Sequence, residues 1–524
     1  MDIKTPSAFA AEEVLKRPCV IVFACIFCGV LCSQAFHSIR IPAFFAGCGM
    51  IILCTGLYYR HRKHEELSYS FADRMIFTSV LPLLMALGAS LHYVYTWRVL
   101  PDLDGGRMRE VQLQMISDAT AYGEGFRCTA RVICSENDNL SVGSQSAVLY
   151  VKHRPAGTLP HKYDTISLSH AYFTPVRYLP APYGTWVKAR RSVGTLRSTQ
   201  CRVYPLKQRG AADIHYRMLH LKEIFVQQLL AWRIPAKERE MLEALVLGRR
   251  GGSYEYRDVQ QAFNAVGISH LLAVSGFHVG VMVFFVSFLT SILGCGRVLN
   301  WLLLIAAAWT FCFFTGNSVP TVRAALVFTL YGLGFIIKRK ADKVNTLALA
   351  ATILLVGNPY IWYDVSFRLS FTAVLSILLF YRPLYNLAGE VRQPLLKYLW
   401  SLVCLSCSAQ ILTLPLICYH FGSVTFMGII AGVPAVIMAS LLIPLTLVVL
   451  IISSWNIVGI APILQEAVMR LTHLMYGMVE GFARVSIAPV MWDARLWQML
   501  LYWVGTIALA LLYYYRRSTS SRFL

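Results

Sequence analysis

Acidic residues are scarce in this chain: 27 Asp and Glu stand against 48 Lys and Arg, leaving a formal net charge of +21 over 524 residues. Charged residues of both signs make up only 14%, against 56% hydrophobic, which excludes both an ordinary soluble domain and a disordered polyelectrolyte. There is no HExxH helix, no CxxC with nearby histidines and no glycine-rich phosphate loop. The sequence therefore offers no metal cage, no resident cofactor and no ATP site. A convincing GxSxG elbow is missing as well. No short-period repeat or low-complexity segment occurs. The first apolar run, Cys19 to Phe36, lacks an A-x-A-like site and is followed at once by another, so it does not read as a cleaved signal.

What the chain does have is apolar length. Runs near 19–36, 42–58, 76–95, 278–294, 298–315, 319–337, 343–357, 366–381, 398–418, 425–454 and 497–514 are long enough to cross a bilayer or nearly so. The run 425–454, with Pro434 and Pro444 inside, has the length of two helices. Counted so, the chain is a polytopic α-helical membrane protein of about 12 spans. The linker Tyr59-Arg-His-Arg-Lys-His64 and the clusters Lys338-Arg-Lys340 and Arg516-Arg517 belong on the cytoplasmic side, and an even number of spans puts both termini there. The fourteen cysteines lie mostly in apolar runs; Cys25/Cys28 and Cys404/Cys407 lack a second pair and read as small buried hydrophobes.

The third span delivers the chain to the outer side, where 99–218 contain no spanning segment. Short, β-branched stretches at Arg127 to Cys134, Gln145 to Lys152, Asp164 to Ala171 and Ser198 to Tyr204, with a turn cluster at 135–144, predict a small antiparallel barrel or sandwich. Between 127 and 210 there are thirteen Lys or Arg and three acids. Translocation does not need such a bias, so the reading is an electrostatic surface for a polyanion, carried by Arg127, Arg131, Lys152, Arg154, Lys188, Arg190 and Arg191. Trp186, Tyr178 and Tyr183 are candidate stacking platforms beside it. Cys128 and Cys201 form a candidate disulfide in a compartment that permits one. Two amphipathic patterns follow, Leu219 to Ala231 and Ala236 to Leu247, separated by Pro235; they are too short to span and read as interfacial, so 219–262 form a segment of their own.

The stretch Gly267-Ile-Ser-His-Leu-Leu-Ala-Val-Ser-Gly-Phe-His-Val-Gly280 puts histidines and a serine at the head of an apolar run, where lipid penalises ionisable groups and where they mark a pathway or a site by default. His270 and His278, eight apart, share a side of an unbroken helix. Two imidazoles alone do not make a zinc site. Asn317 and Arg323, then Asp364, Arg368 and Ser370 in Asp364-Val-Ser-Phe-Arg-Leu-Ser-Phe371, and Gln410 add further polar groups in later spans. An Asp364 pair with Arg368 or Arg323 would neutralise buried charge; direct contact with a substrate anion is the other reading. His270, Ser275, Gly276, His278, Gly280, Asn317, Arg323, Asp364, Arg368, Ser370 and Gln410 are the expected pathway lining. A rival reading makes His270, Ser275 and His278 an intramembrane enzyme.

Ala244-Leu-Val-Leu-Gly248, the Gly267 to Gly280 stretch, Pro320 to Ala324, Asp364 to Phe371, and Gln410 to Pro415 with Phe421-Gly422 resemble, in order, the competence membrane domain of ComEC-type DNA uptake channels. The resemblance extends to the first three spans and the strand-rich loop. It implies transmembrane helices over 1–98, an extracytoplasmic all-β OB-like domain over 99–218 and a channel domain over 263–524. It also implies transport of single-stranded DNA across the bacterial inner (cytoplasmic) membrane in natural transformation, with DNA and membrane lipids as partners and a separate nuclease and cytoplasmic motor. The chain has no H-x-H-x-D-H motif of the nuclease domain many relatives carry, so nuclease activity is not expected from it. A channel for another anion is the alternative, and the oligomeric state is left open.

Overall fold

A computed structural model describes residues 17–36, 40–61, 66–99, 105–116, 119–122, 125–135, 146–153, 160, 164–204, 214–249, 254–337, 342–389, 393–454, 461–485, 490–492 and 494–520. Arg154, Lys338 to Lys340 and most of the turn cluster at 135–144 lie outside the described residues. In chain order the elements begin with α1 (Pro18–Phe36), α2 (Arg40–His61) and α3 (Glu66–Val99). The strands follow as β1 (Gly106–Met115), β2 (Thr120–Tyr122), β3 (Gly125–Ser135), β4 (Ser146–Val151) and β5 (Thr165–Pro175), then α4 (Ala181–Ala189), β6 (Ser192–Ser198) and β7 (Cys201–Tyr204). Next are α5 (Ile214–Ala231), α6 (Ala236–Leu242), α7 (Tyr254–Val266), α8 (Gly276–Ile292), α9 (Arg297–Phe314), α10 (Val319–Ile336) and α11 (Lys343–Gly357). The chain continues with α12 (Val365–Tyr385), α13 (Pro394–Phe421), α14 (Met427–Ser454), α15 (Ala461–Val485) and α16 (Leu496–Ser520). It divides into two compact units, one of 11–207 with 344–364, the other of 208–343 with 365–524.

Among the described residues eight helices are long and apolar enough to cross a membrane, and Ile41–Thr55, Gly276–Ile292 and Lys343–Gly357 are shorter apolar ones. The chain is a membrane protein. The expected pair of helices in 425–454 is corrected: Met427–Ser454 is one continuous helix of 28 residues through Pro434 and Pro444. A proline removes one N–H from the ladder, but no charged residue interrupts this run, and neighbouring helices in an apolar medium hold such a segment helical. The expected twelfth span is therefore not found among the described residues.

In the first unit, α1 and α3 approach backbone to backbone through glycines. A Cβ on Gly29 would stand 2.0 Å from the Met85 carbonyl oxygen, and one on Gly88 2.1 Å from that of Ile26, the small-residue contact that lets membrane helices pack without a hydrophobic driving force. The strands close on themselves: β1 pairs with both β3 and β5, giving the ring β1-β3-β4-β6-β5, with β4 and β6 parallel and β2 and β7 attached outside it. Alternation sends Phe126, Cys128, Ala130 and Val132 of β3, Leu149 and Val151 of β4, and Ile166 and Leu168 of β5 inward to one core. β3, β4, β5 and part of β7 fall where the sequence pattern puts strands. β1 and the helix α4 were not anticipated: in GRMREVQLQM the alternation is interrupted at Arg109-Glu110, although Val111 to Met115 alternate cleanly, and APYGTWVKA follows a proline-rich turn.

The segment 344–364 belongs to this first unit, although its sequence position lies within the expected channel domain. Its ties are non-local: Gln34 Nε2 donates to the Pro359 carbonyl at 3.4 Å, Tyr363 Oη to Gln34 Oε1 at 2.9 Å, and His92 Nε2 lies 2.8 Å from Tyr360 Oη. Asn358 Nδ2 donates to the carbonyl of Ala189, at the end of α4, at 2.7 Å.

In the second unit the core gathers α5 to α10, α14 and α15. The α6 pattern was expected to be interfacial; instead Met241, Leu242 and Ala244 to Leu247 are all fully buried. Beyond α6 the chain widens into a π-helical turn, Glu243–Leu247, closed by Gly248 at φ 66°. Over 241–247 burial runs round every face, while Lys237 in the first turn of α6 stays exposed. α15 buries Val468, Thr472, Met475 and Val479 on one stripe against this core.

Candidate nucleic-acid interface and buried polar site

On the barrel, strand register builds something no linear motif displays. Arg127 of β3 pairs with Tyr150 of β4, Tyr150 with Arg197 of β6, Arg197 with Tyr172 of β5, and Tyr172 with Arg107 of β1. Directly paired residues share a face, and the inward neighbours Phe126, Leu149, Leu196 and Phe173 are fully buried, so all five point outward. Tyr172 is 51% exposed, Arg107 and Arg197 are exposed, and Arg127 and Tyr150 half-buried. Four strand spacings make this alternating row of arginine and tyrosine about 19 Å long. Arg107, Tyr150, Tyr172 and Arg197 were missed in the sequence, where they lie on four separate strands.

The residues that were singled out divide into two groups. Arg131 and Lys152 are exposed on the barrel. Lys188, Arg190 and Arg191 instead tie α4 to the 357–364 segment. The Lys188 ammonium sits 5.2 Å over the Tyr360 ring, and partial burial lowers its pKa. Arg191 Nη2 donates to the Gly357 carbonyl at 2.7 Å. The Arg190 guanidinium stacks 4.3 Å over Trp186; burial lowers its pKa, opposed by the Asp364 carboxylate. Trp186 is not an open platform either: Tyr183 stacks on it at 5.5 Å and Arg127 lies 5.7 Å from its ring. Tyr178 is 64% exposed beside Arg177. Cys128 and Cys201 are free thiols, not a disulfide; burial raises both, Cys201 to about 11.

In the second unit His270 and His278 do not lie on one unbroken helix, the condition under which they would share a side. Gly267 at φ 82° ends α7 close against Thr425 and Gly428 of the α14 entry, a 3₁₀ turn holds Ser269–Leu271, and α8 starts only at Gly276. His270 is exposed on that turn while His278 is fully buried. Ser275 and His278 form the cap of α8: the Ser275 N–H donates to His278 Nδ1 at 3.2 Å, and Ser275 Oγ lies 3.2 Å from the same nitrogen. Ser275 and His278 Nδ1 thus satisfy helix-end groups, while His278 Nε2 is buried with no hydrogen-bond partner among the described residues. Gly280 faces open space. Asn317 occupies a left-handed turn at φ 57° after α9, its Oδ1 accepting from Cys312 Sγ at 3.4 Å.

Arg323 on α10 is 7% exposed. Its Nη1 donates to the Ser370 carbonyl and its guanidinium lies 5.6 Å from the Phe371 ring. Of the two pairings expected for Asp364, with Arg368 or with Arg323, Arg323 is engaged by Ser370 and Phe371; Asp364 itself ends the 3₁₀ turn Ile361–Tyr363. Arg368 and Gln410 are half-buried on α12 and α13. Among the described residues no group of three His, Cys, Asp or Glu is arranged to hold a metal.

The profile of the family described as "Competence protein" matches residues 245–517, just over half of the chain. The chain belongs to this family. This competence protein is 28% identical to "ComE operon protein 3" of Bacillus subtilis over 220 residues, covering 41% of this chain and 26% of that protein. It is 28% identical to "Recombination protein 2" of Haemophilus influenzae over 221 residues, 40% of this chain and 28% of the relative. An uncharacterized protein of Aquifex aeolicus is 34% identical over 122 residues, 23% of this chain and 29% of its own. The match thus spans between a quarter and a third of each of these relatives' length. No solved structure matches. The matched region of the competence protein holds the capped α8 and Arg323; the arginine–tyrosine row lies outside it.

Proposed function

We propose that this competence protein conducts single-stranded DNA across the bacterial inner membrane during natural transformation, its barrel receiving the strand. The observation that carries the reading is the outward row Arg107, Tyr172, Arg197, Tyr150 and Arg127. Sequence-tolerant single-strand binders combine cationic side chains that follow phosphates with aromatic faces on which bases stack. A five-stranded closed ring is also the frame of OB-like barrels, and the family supports the uptake role. The reading puts the barrel outside the cytoplasm and both termini inside, with a separate nuclease and motor. With eleven apolar helices among the described residues, that disposition requires one not to cross. α11, 15 residues long, extends about 22 Å, less than the hydrocarbon thickness of about 30 Å.

The test is binding of a labelled oligo-dT to the full chain in zwitterionic nanodiscs across a salt series. Replacing Arg107, Arg127 and Arg197 by Gln should reduce the slope of log affinity against log salt by about 2, three phosphates at roughly 0.7 each. Tyr150→Ala with Tyr172→Ala should weaken binding by about 1–3 kcal/mol per lost stacking face without changing that slope. Equal affinity and slope in all variants would sink the reading and favour a different anion.

A further inference from the structure

We propose that the imidazole of His170, on β5, is a further stacking face for a nucleobase, one step beside the arginine–tyrosine row; this role rests on the single-strand reading proposed above.

Among the described residues three that are not glycine stand in the left-handed region: His170 at φ 56°, Arg191 at 55° and Asn317 at 57°. A side chain is strained there, and such a conformation persists only where something offsets it. For two of the three the offset lies inside the protein. Arg191 Nη2 donates to the Gly357 carbonyl at 2.7 Å, and Asn317 Oδ1 accepts from Cys312 Sγ at 3.4 Å. His170 is exposed, and among the described residues no hydrogen bond, ion pair or ring contact engages its imidazole.

The fold accounts for the bend and not for the side chain. β5 keeps regular register with β1 along one edge, from Thr165 to Phe173, while on its other edge the partner changes from β7, over Thr165 to Leu168, to β6, over Tyr172 to Pro175. His170 lies in the gap between the two, at a corner of the barrel. Glycine is the default residue for a positive φ at such a corner. Histidine there strains the strand and returns no contact to it, so the task of the ring lies outside the chain.

Its neighbours say what that task is. Tyr172, in the row, is two residues along the same strand, about 7 Å away. That is roughly twice the 3.4 Å step between stacked bases, so an extended strand sets successive bases on separate faces, one on Tyr172 and the next on His170. Imidazole is among the rings on which splayed bases stack. Lys152 is displaced from Tyr150 in the same sense, because β4 runs parallel to β6 and β6 antiparallel to β5. It is exposed, and its backbone N–H donates to the Ser198 carbonyl at 3.0 Å. A cation and a ring thus stand on a second line beside the first, the pairing that single-strand binders use.

The experiment is binding of a labelled oligo-dT, and of an abasic deoxyribose-phosphate oligomer of the same length, to the full chain in zwitterionic nanodiscs. His170→Gly removes the ring and relieves the backbone. His170→Asn removes the ring and keeps a residue that tolerates the left-handed region. Both should weaken oligo-dT binding about fivefold or more, and neither should change binding of the abasic oligomer, which offers phosphates and no base. The unfolding midpoint of His170→Gly should equal or exceed that of the wild type. Unchanged oligo-dT affinity in either variant, or an equal loss on both oligomers, would overturn the stacking role. So would a midpoint of His170→Gly below the wild type, which would make the histidine part of the barrel's own stability. Failure of this role alone would show as weakened binding in the arginine variants of the row beside unchanged binding in the His170 variants. Equal affinity in all of them would remove the single-strand reading and this role with it.

Discussion

Replacing Glu243 by Gln should stabilise the protein at alkaline pH and remove much of its pH dependence. Glu243 opens the π-helical turn outside the spanning helices and is 7% exposed. Its carboxyl is raised from 4.5 to about 7, first by burial; Arg249 and Arg239 oppose the shift, while Glu240 and Glu223 add to it. The arginines stand off, Arg239 Nε at 3.8 Å and Arg249 Nη1 at 4.0 Å, too far to offset desolvation. The folded state thus binds the proton more tightly than the unfolded one. Its contribution is fully present below about pH 4.5 and is lost as pH rises through about 7. At roughly 1.4 kcal/mol for each unit, the span is about 3 kcal/mol. The assay is the unfolding midpoint of full-length protein in zwitterionic detergent between pH 5 and 8.5. The wild type should lose midpoint steadily over that range while Glu243→Gln is flatter and higher at pH 8.5. Identical slopes for the two proteins would refute the burial argument.

Gly88→Ala should cost about 2 kcal/mol or more, since its Cβ would meet the rigid Ile26 backbone rather than a movable side chain; a midpoint within error of wild type would mean that α1 and α3 are not in contact there. Ser376 is fully buried, its Oγ donating to the Ser408 carbonyl and accepting from the Leu412 N–H at 3.1 Å. Ser376→Ala should therefore cost about 1–3 kcal/mol by stranding both groups, whereas an unchanged midpoint would deny the α12–α13 brace. Asn358 donates to the Ala189 carbonyl at 2.7 Å and accepts from the Tyr360 N–H at 3.1 Å. Asn358→Ala should accelerate hydrogen exchange at the amides of 358–364 at least about tenfold, corresponding to the loss of roughly 1.4 kcal/mol or more; unaltered protection would show that the segment is held by other contacts.

Apolar length and charge asymmetry determined the membrane class, because a bilayer imposes run lengths that can be read without knowing any contact. Period-two alternation likewise located β3, β4 and β5, and the ordered motifs from Ala244 to Gly422 pointed to the family that the profile over 245–517 supports. Pairing was not legible. Whether Lys188, Arg190 and Arg191 meet a ligand or the 357–364 segment depends on residues about 170 positions away, and composition alone gives the same basic cluster in either case. The helical break between His270 and His278 depends on Gly267 lying against the α14 entry, a tertiary contact that overrides the eight-residue spacing. The arginine–tyrosine row exists only through the register of five strands, and Arg323 finds Gly276 only when α8 and α10 pack. The sequence by itself determined which segments leave water and how each repeats. Tertiary structure alone decided which polar groups meet, because their free energy resides in contacts between residues the chain holds far apart.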